Sequence, residues 1–176
     1  MGACFNAIKP LSEIDQGPYI VINHCVKVKK VLFETEKDTA TLVRGLLYLN
    51  SILALNYERN QEYKKAVELK QEFTVFERLI NNELYFEYVR FLNTLLTSYK
   101  ELALFEEAFD IALTSHFYLE EILKNNKSIP NDLETLIKRM DLSLLVSLGG
   151  IKEADGDLVL AKFFYEVCRD KAFEWD

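Results

Sequence analysis

Apolar residues recur at intervals of three and four along most of the chain, the period of a helix that buries one face. Asp38 or Thr39 can cap a helix whose stripe is Leu42, Leu46, Leu49, Leu53 and Tyr57. The polar break Arg59-Asn60-Gln61 ends it. A partner helix from about Glu62 carries Tyr63, Ala66, Leu69, Phe73, Phe76 and Ile80 as far as Asn81-Asn82. The pattern then repeats: Phe86, Val89, Leu92, Leu95, Leu96 and Tyr99 mark a helix from Glu83 to about Leu102. Ala108, Ile111, Ala112, Phe117 and Leu119 mark another from Phe105 to Leu123. After a polar loop from Lys124 to Pro130, Asn131 and Glu134 have the spacing of a capping box for a helix through Lys152. Asp155-Gly156-Asp157 turns the chain into a last helix with Leu158, Ala161, Phe164, Tyr165 and Cys168 on its buried side.

Ahead of these, Gly17-Pro18 opens a helix through Glu36, because proline is tolerated in a first turn. Residues 1 to 16 show no sustained period and read as an extended lead-in. Tyr19 to Val28 holds several β-branched residues, yet Lys27, Lys29 and Lys30 fit one solvated side of a helix at least as well. The expectation is an all-α chain of about seven helices, paired antiparallel, in a single domain from 17 to 176.

Composition agrees. Six glycines and three prolines in 176 residues leave little punctuation for the tight turns of a sandwich or barrel. The net charge of −7 disfavours a duplex-binding surface, so nucleic acid is not the expected partner. Cys4, Cys25 and Cys168 are scattered and odd in number, neither a disulfide framework nor a paired metal site, which fits a reducing cytoplasm. The longest apolar run, near Leu46 to Leu55, is interrupted by Asn50 and Ser51 and is too short for a membrane span. Asn126-Lys127-Ser128 matches a glycosylation sequon and reads as a polar loop. Met1-Gly2-Ala3-Cys4 offers Gly2 for myristoylation and Cys4 for palmitoylation, although Asn6 stands where serine or threonine is expected.

Aligning the turns brings out a repeat. Leu53 to Tyr57 leads to Tyr63-Lys64-Lys65-Ala66, Leu95 to Tyr99 leads to Phe105-Glu106-Glu107-Ala108, and Leu148-Gly149-Gly150 leads to Leu158-Val159-Leu160-Ala161. Each has a leucine on the first helix, a large apolar residue after the turn and an alanine three residues later. Two helices crossing close to their turn need a small residue at the contact. Over residues 40 to 174 this resembles the tetratricopeptide repeat, whose units carry leucine, glycine and tyrosine on one helix and an aromatic residue and alanine on the next. The alanines stand 42 and then 53 residues apart where the family has about 34, Lys152 stands where a tyrosine belongs, and the closing proline is missing.

The resemblance implies helix hairpins stacked as a right-handed superhelix, with a concave groove lined by the first helix of each pair. It points to Tyr48, Ser51, Leu55 and Arg59, then Arg90, Asn93, Thr97 and Lys100, then Ser143 and Ser147. Asn93 can pair with a peptide backbone, and Arg90 and Lys100 can hold a carboxylate. The full basic clamp of chaperone-binding relatives is not reproduced. Trp175 either caps the open end or contacts a second chain, which makes a homodimer an expectation of second rank.

Enzyme signatures are poor. His24 and His116 lie far apart, neither in a metal-binding spacing; His116 reads as a packing residue and His24-Cys25 diverge on a helix. No phosphate loop, G-x-S-x-G or dinucleotide motif is present; Gly149-Gly150 reads as a close helix contact, and Glu106-Glu107 and Glu120-Glu121 as solvated faces. The expectation is a non-catalytic protein- or peptide-binding adaptor without cofactor or metal. The alternatives are a peptide sensor resembling the repeat portion of bacterial quorum-sensing regulators, a structural subunit of a constant complex, or a lipidated adaptor.

Overall fold

The structure, a computed structural model, describes residues 18–125 and 129–175. Gly2, Cys4, the lead-in and Asn126-Lys127-Ser128 lie outside them. Seven helices account for most of the described residues, which contain no strand: α1 (Pro18–Thr35), α2 (Thr39–Arg59), α3 (Tyr63–Glu77), α4 (Tyr85–Glu101), α5 (Phe105–Asn125), α6 (Asn131–Ala154) and α7 (Leu158–Trp175). None of them is long and apolar enough to cross a membrane. Contacts cluster into two compact units that divide at Ser98, inside α4.

The turns explain the hairpins. Gln61, Ala103 and Gly156 all take a positive φ, of 60°, 56° and 88°. In each turn the N–H of that residue bonds the carbonyl three residues back, and the next N–H bonds the carbonyl five residues before it: Gln61 to Glu58 and Glu62 to Tyr57, Ala103 to Lys100 and Leu104 to Tyr99, Gly156 to Glu153 and Asp157 to Lys152. This Schellman pattern satisfies helix-end carbonyls and reverses the chain within a few residues. Five residues after each left-handed residue stand Ala66, Ala108 and Ala161, all buried, and eight residues before it stand Leu53, Leu95 and Leu148, buried as well. The repeat seen in sequence is therefore one turn built three times.

In the first unit α2 packs between α1 and α3. Val21, Ile22, Cys25 and Leu32 form the buried edge of α1, and Lys29, about 160° round the helix from the exposed Lys27 and about 100° from the exposed Lys30, reaches Glu72 on α3 at 2.7 Å instead of facing solvent. Asp38 caps α2 by accepting the Thr41 N–H at 2.9 Å. Phe73 anchors α3, with ring centroids of Phe76, Tyr88 and Phe91 at 5.8, 5.9 and 5.6 Å. Each such ring pair adds about 0.5–1.5 kcal/mol beyond its buried area.

In the second unit α6 packs between α5 and α7. The Phe109 and Phe164 rings meet edge to face at 5.7 Å. A Cβ placed on Gly149 would lie 2.5 Å from the Tyr165 ring, whereas on Gly150 it would meet nothing nearer than the Tyr165 hydroxyl at 3.8 Å. Only the first glycine is a close helix contact.

Four further details differ from the sequence expectation. Phe117 is exposed, because Ser115 and Leu119 take the inward positions of α5. Leu158 is exposed at the first turn of α7. Tyr165 is half out of the core, lying over Gly149 with its hydroxyl donating to Glu153 at 2.9 Å. Asn131 does not cap α6: the Glu134 N–H bonds the Pro130 carbonyl, and no side chain takes the capping role.

A non-glycine residue held left-handed costs about 1–2 kcal/mol, partly offset by the chain entropy that glycine adds to the unfolded state. Gln61→Gly and Ala103→Gly should each stabilise by about 0.5–1 kcal/mol and Gly156→Ala should destabilise by about 1 kcal/mol, read as shifts in urea midpoint. Neighbouring glycines should also respond with opposite sign: Gly149→Ala should lose about 1 kcal/mol through overpacking, while Gly150→Ala should gain about 0.5–1 kcal/mol of helix propensity in the same denaturation assay.

Candidate binding groove and buried ion cluster

A groove of about 390 Å³ opens between α2 and α4 in the first unit, lined by Arg44, Leu47, Tyr48, Ser51, Ile52 and Leu55 from α2 and Glu87, Arg90 and Thr94 from α4. Arg44 and Glu87, each near the start of its helix, pair at 3.3 Å, and the Arg44 guanidinium also donates to the Glu83 carbonyl at 3.4 Å. Both helices run on from that pair into the groove, so they point the same way. The short α2–α3 turn and the ring cluster that ties α3 to α4 put them there. Leu47, Ile52 and Leu55 give the groove an apolar floor. Its two aliphatic hydroxyls are spoken for as donors: Ser51 donates to the Leu47 carbonyl at 2.8 Å and Thr94 to the Phe91 carbonyl at 2.7 Å. Arg90 is exposed and, among the described residues, has no hydrogen bond or ion pair.

Of the residues selected from sequence, Tyr48, Ser51, Leu55 and Arg90 come together in this groove. Asn93, Thr97, Arg59 and Lys100 do not line it; all four are exposed on the flanks of α2 and α4. Helix geometry accounts for the two on α4: Glu87, Arg90 and Thr94 form one stripe, Asn93 lies about 60° round the helix from Arg90, and Thr97 continues the stripe about one turn past Thr94. Ser143 is exposed and Ser147 half-buried on α6. Trp175 is half-buried with the ammonium groups of Lys171 and Lys138 at 5.3 and 5.7 Å from its ring, so it packs against its own unit.

The second unit holds a cluster that the sequence reading missed. Asp141 on α6 is fully buried, accepts from His116 Nδ1 at 2.5 Å and accepts from Lys171 Nζ at 2.8 Å. Lys171 on α7 also pairs with Glu120 on α5, which Lys124 holds from outside at 2.7 Å. His116 is thus the partner of a buried carboxylate, not a packing residue, and Glu120 is no plain solvated face. With a carboxylate acceptor, the imidazole carries its hydrogen on Nδ1 and donates it. His116, Glu120 and Asp141 bring donor atoms within 4.8 Å of one another, a set able to hold a metal ion. Here the Lys171 ammonium stands between the two carboxylates and fills the cationic role itself.

Hydrogen bonds from Lys124 and Lys171 draw the Glu120 carboxyl from its ordinary 4.5 down to about 2. Burial opposes the charge on Lys171, but the bonds to Asp141 and Glu120 outweigh it and raise the lysine above its ordinary value. Burial pushes the Cys25 thiol up to about 11; burial and then the Asp141 charge raise Cys168 as well. Neither cysteine is a ready thiolate near neutral pH.

Compared with protein-family models, curated proteins and solved structures, the chain gives no match.

Removing one partner of a buried pair leaves the other charge unsatisfied. Lys171→Met should therefore destabilise by about 3–5 kcal/mol, and Lys124→Met, whose ammonium is exposed, by less than about 1 kcal/mol in equilibrium denaturation. Glu120 has a depressed pKa in the fold, so its contribution is complete above pH 4.5 and is lost as the pH falls towards 2. Denaturation midpoints measured across that window should fall less steeply for Glu120→Gln than for the native chain.

Proposed function

We propose that the protein is a non-catalytic, tetratricopeptide-like binding module that seats a segment of a protein or peptide partner in the α2–α4 groove. The observation that carries this reading is the groove itself: two helices of the same sense, an apolar floor and the Arg90 guanidinium, which has no partner among the described residues. The three equal turns support the repeat resemblance, since each places a leucine and an alanine at matching positions. From Arg44 to Leu55 the α2 wall runs about 16 Å, enough for about five residues of extended peptide.

A structural subunit of a constant complex, or a homodimer, is the second reading. The exposed Leu158, Val159, Phe163 and Phe173 of α7 favour it, Val159 being 84% exposed. Scattered apolar residues are common on surfaces, but four on one helix are a plausible contact for another chain.

Leu55 is exposed enough to be changed without opening the core. In capture from the source organism's lysate, quantified by mass spectrometry, Leu55→Asp should weaken retention of a specific partner at least about tenfold, as loss of a central apolar contact does. Phe163→Asp should leave it unchanged. The opposite pattern would move the binding surface to α7.

A further inference from the structure

Resting on the groove reading above, we propose that the α2–α4 groove selects peptide segments in which an acidic side chain is flanked by aliphatic ones, the acid pairing with Arg90. Charge is the first argument. The lining residues carry two guanidiniums, Arg44 and Arg90, and one carboxylate, Glu87, a net charge of +1 on a chain whose net charge is −7. The two cations are not equivalent. Arg44 is held by Glu87 and the Glu83 carbonyl, whereas Arg90 has no partner among the described residues. A guanidinium left open beside an apolar floor is matched by a carboxylate, with which it can form two parallel bonds.

The hydroxyls narrow the choice further. Ser51 and Thr94 already spend their hydrogens on carbonyls of their own helices, so towards a ligand they offer lone pairs only. The two guanidiniums are the main donors of the lining, with the Tyr48 hydroxyl beside them, so a carboxylate matches the groove better than an uncharged acceptor does. A basic segment would meet Arg44 and Arg90 with only the already paired Glu87 to attract it. The floor of Leu47, Ile52 and Leu55 asks for aliphatic side chains on either side of the acid.

The test is selection from a random ten-residue peptide library displayed with its C-terminus fused to the carrier, so that the only carboxylates are side chains, against the native chain and against Leu55→Asp. Binders to the native chain that fail on Leu55→Asp should be enriched in Asp or Glu next to Leu, Ile, Val or Met. For such a peptide, Arg90→Gln in the protein and Glu→Gln in the peptide should each weaken binding about tenfold, and the two losses together should not add, the signature of a direct pair. Binders that depend on Leu55 but show no acidic preference, or whose losses add, would overturn this inference and leave the groove reading standing. An acidic preference that emerges only in a parallel library with free C-termini would overturn it too, assigning Arg90 to a chain-terminal carboxylate. Binders indifferent to Leu55→Asp, or no binders from either library, would overturn the groove reading itself.

Discussion

The constraint on which most of this architecture rests is a chain reversal completed within one left-handed residue. A helix that ends in the Schellman pattern satisfies its last carbonyls locally and sends the next helix straight back along it. The two helices are then forced close to each other just beyond the turn, and a buried alanine at the fifth position is what lets them cross. Because α2 and α3 are joined by such a reversal and α3 is tied to α4 by the Phe73 ring cluster, α2 and α4 run in the same sense and can share a wall. The groove is a by-product of the turns before it is anything else.

The two units solve their packing in different ways. The first relies on an aromatic centre, with Phe73 touching three other rings. The second places a carboxylate at the centre: Asp141 has no exposure and is compensated by an imidazole and an ammonium drawn from the helices on either side. Desolvating such a group is expensive, and it is sustained only because both oxygens are bonded. The return is directional, since three helices are fixed by bonds whose geometry apolar contacts cannot specify.

Most of the fold was legible in the chain. The period of Leu42, Leu46, Leu49 and Leu53 marks α2, and the spacing from leucine to alanine marks each turn, although which residue would take the positive φ was readable only at Gly156. Gln61 and Ala103 carry no such signal, because hydrogen bonding of the whole turn overrides their local preference. The site was legible in part. Tyr48, Ser51, Leu55 and Arg90 follow from the repeat resemblance, whereas the choice of Asn93 and Thr97 over Thr94 misses by a rotation of about 60° for Asn93 and by about one turn along the axis for Thr97, which no single helix reveals. Arg44 and Glu87 depend on a contact 43 residues apart in sequence. The Asp141 cluster did leave a trace: Ile137, Asp141, Leu144, Leu145 and Leu148 share the buried stripe of α6, and an acid in such a stripe demands a cation. Lys171, three residues after Cys168 on the inner side of α7, was that cation.

This interlocking has an evolutionary side. A surface pair can drift one residue at a time, since water takes the place of either partner. His116, Glu120, Asp141 and Lys171 have less freedom, because Asp141 does not reach solvent and is bonded by His116 and Lys171, the latter also held by Glu120. A lineage leaving this arrangement would have to replace the buried acid and its lysine together, passing through a less stable intermediate or compensating elsewhere first. The four positions thus behave as one heritable character spread over three helices, and they should vary together or hardly at all.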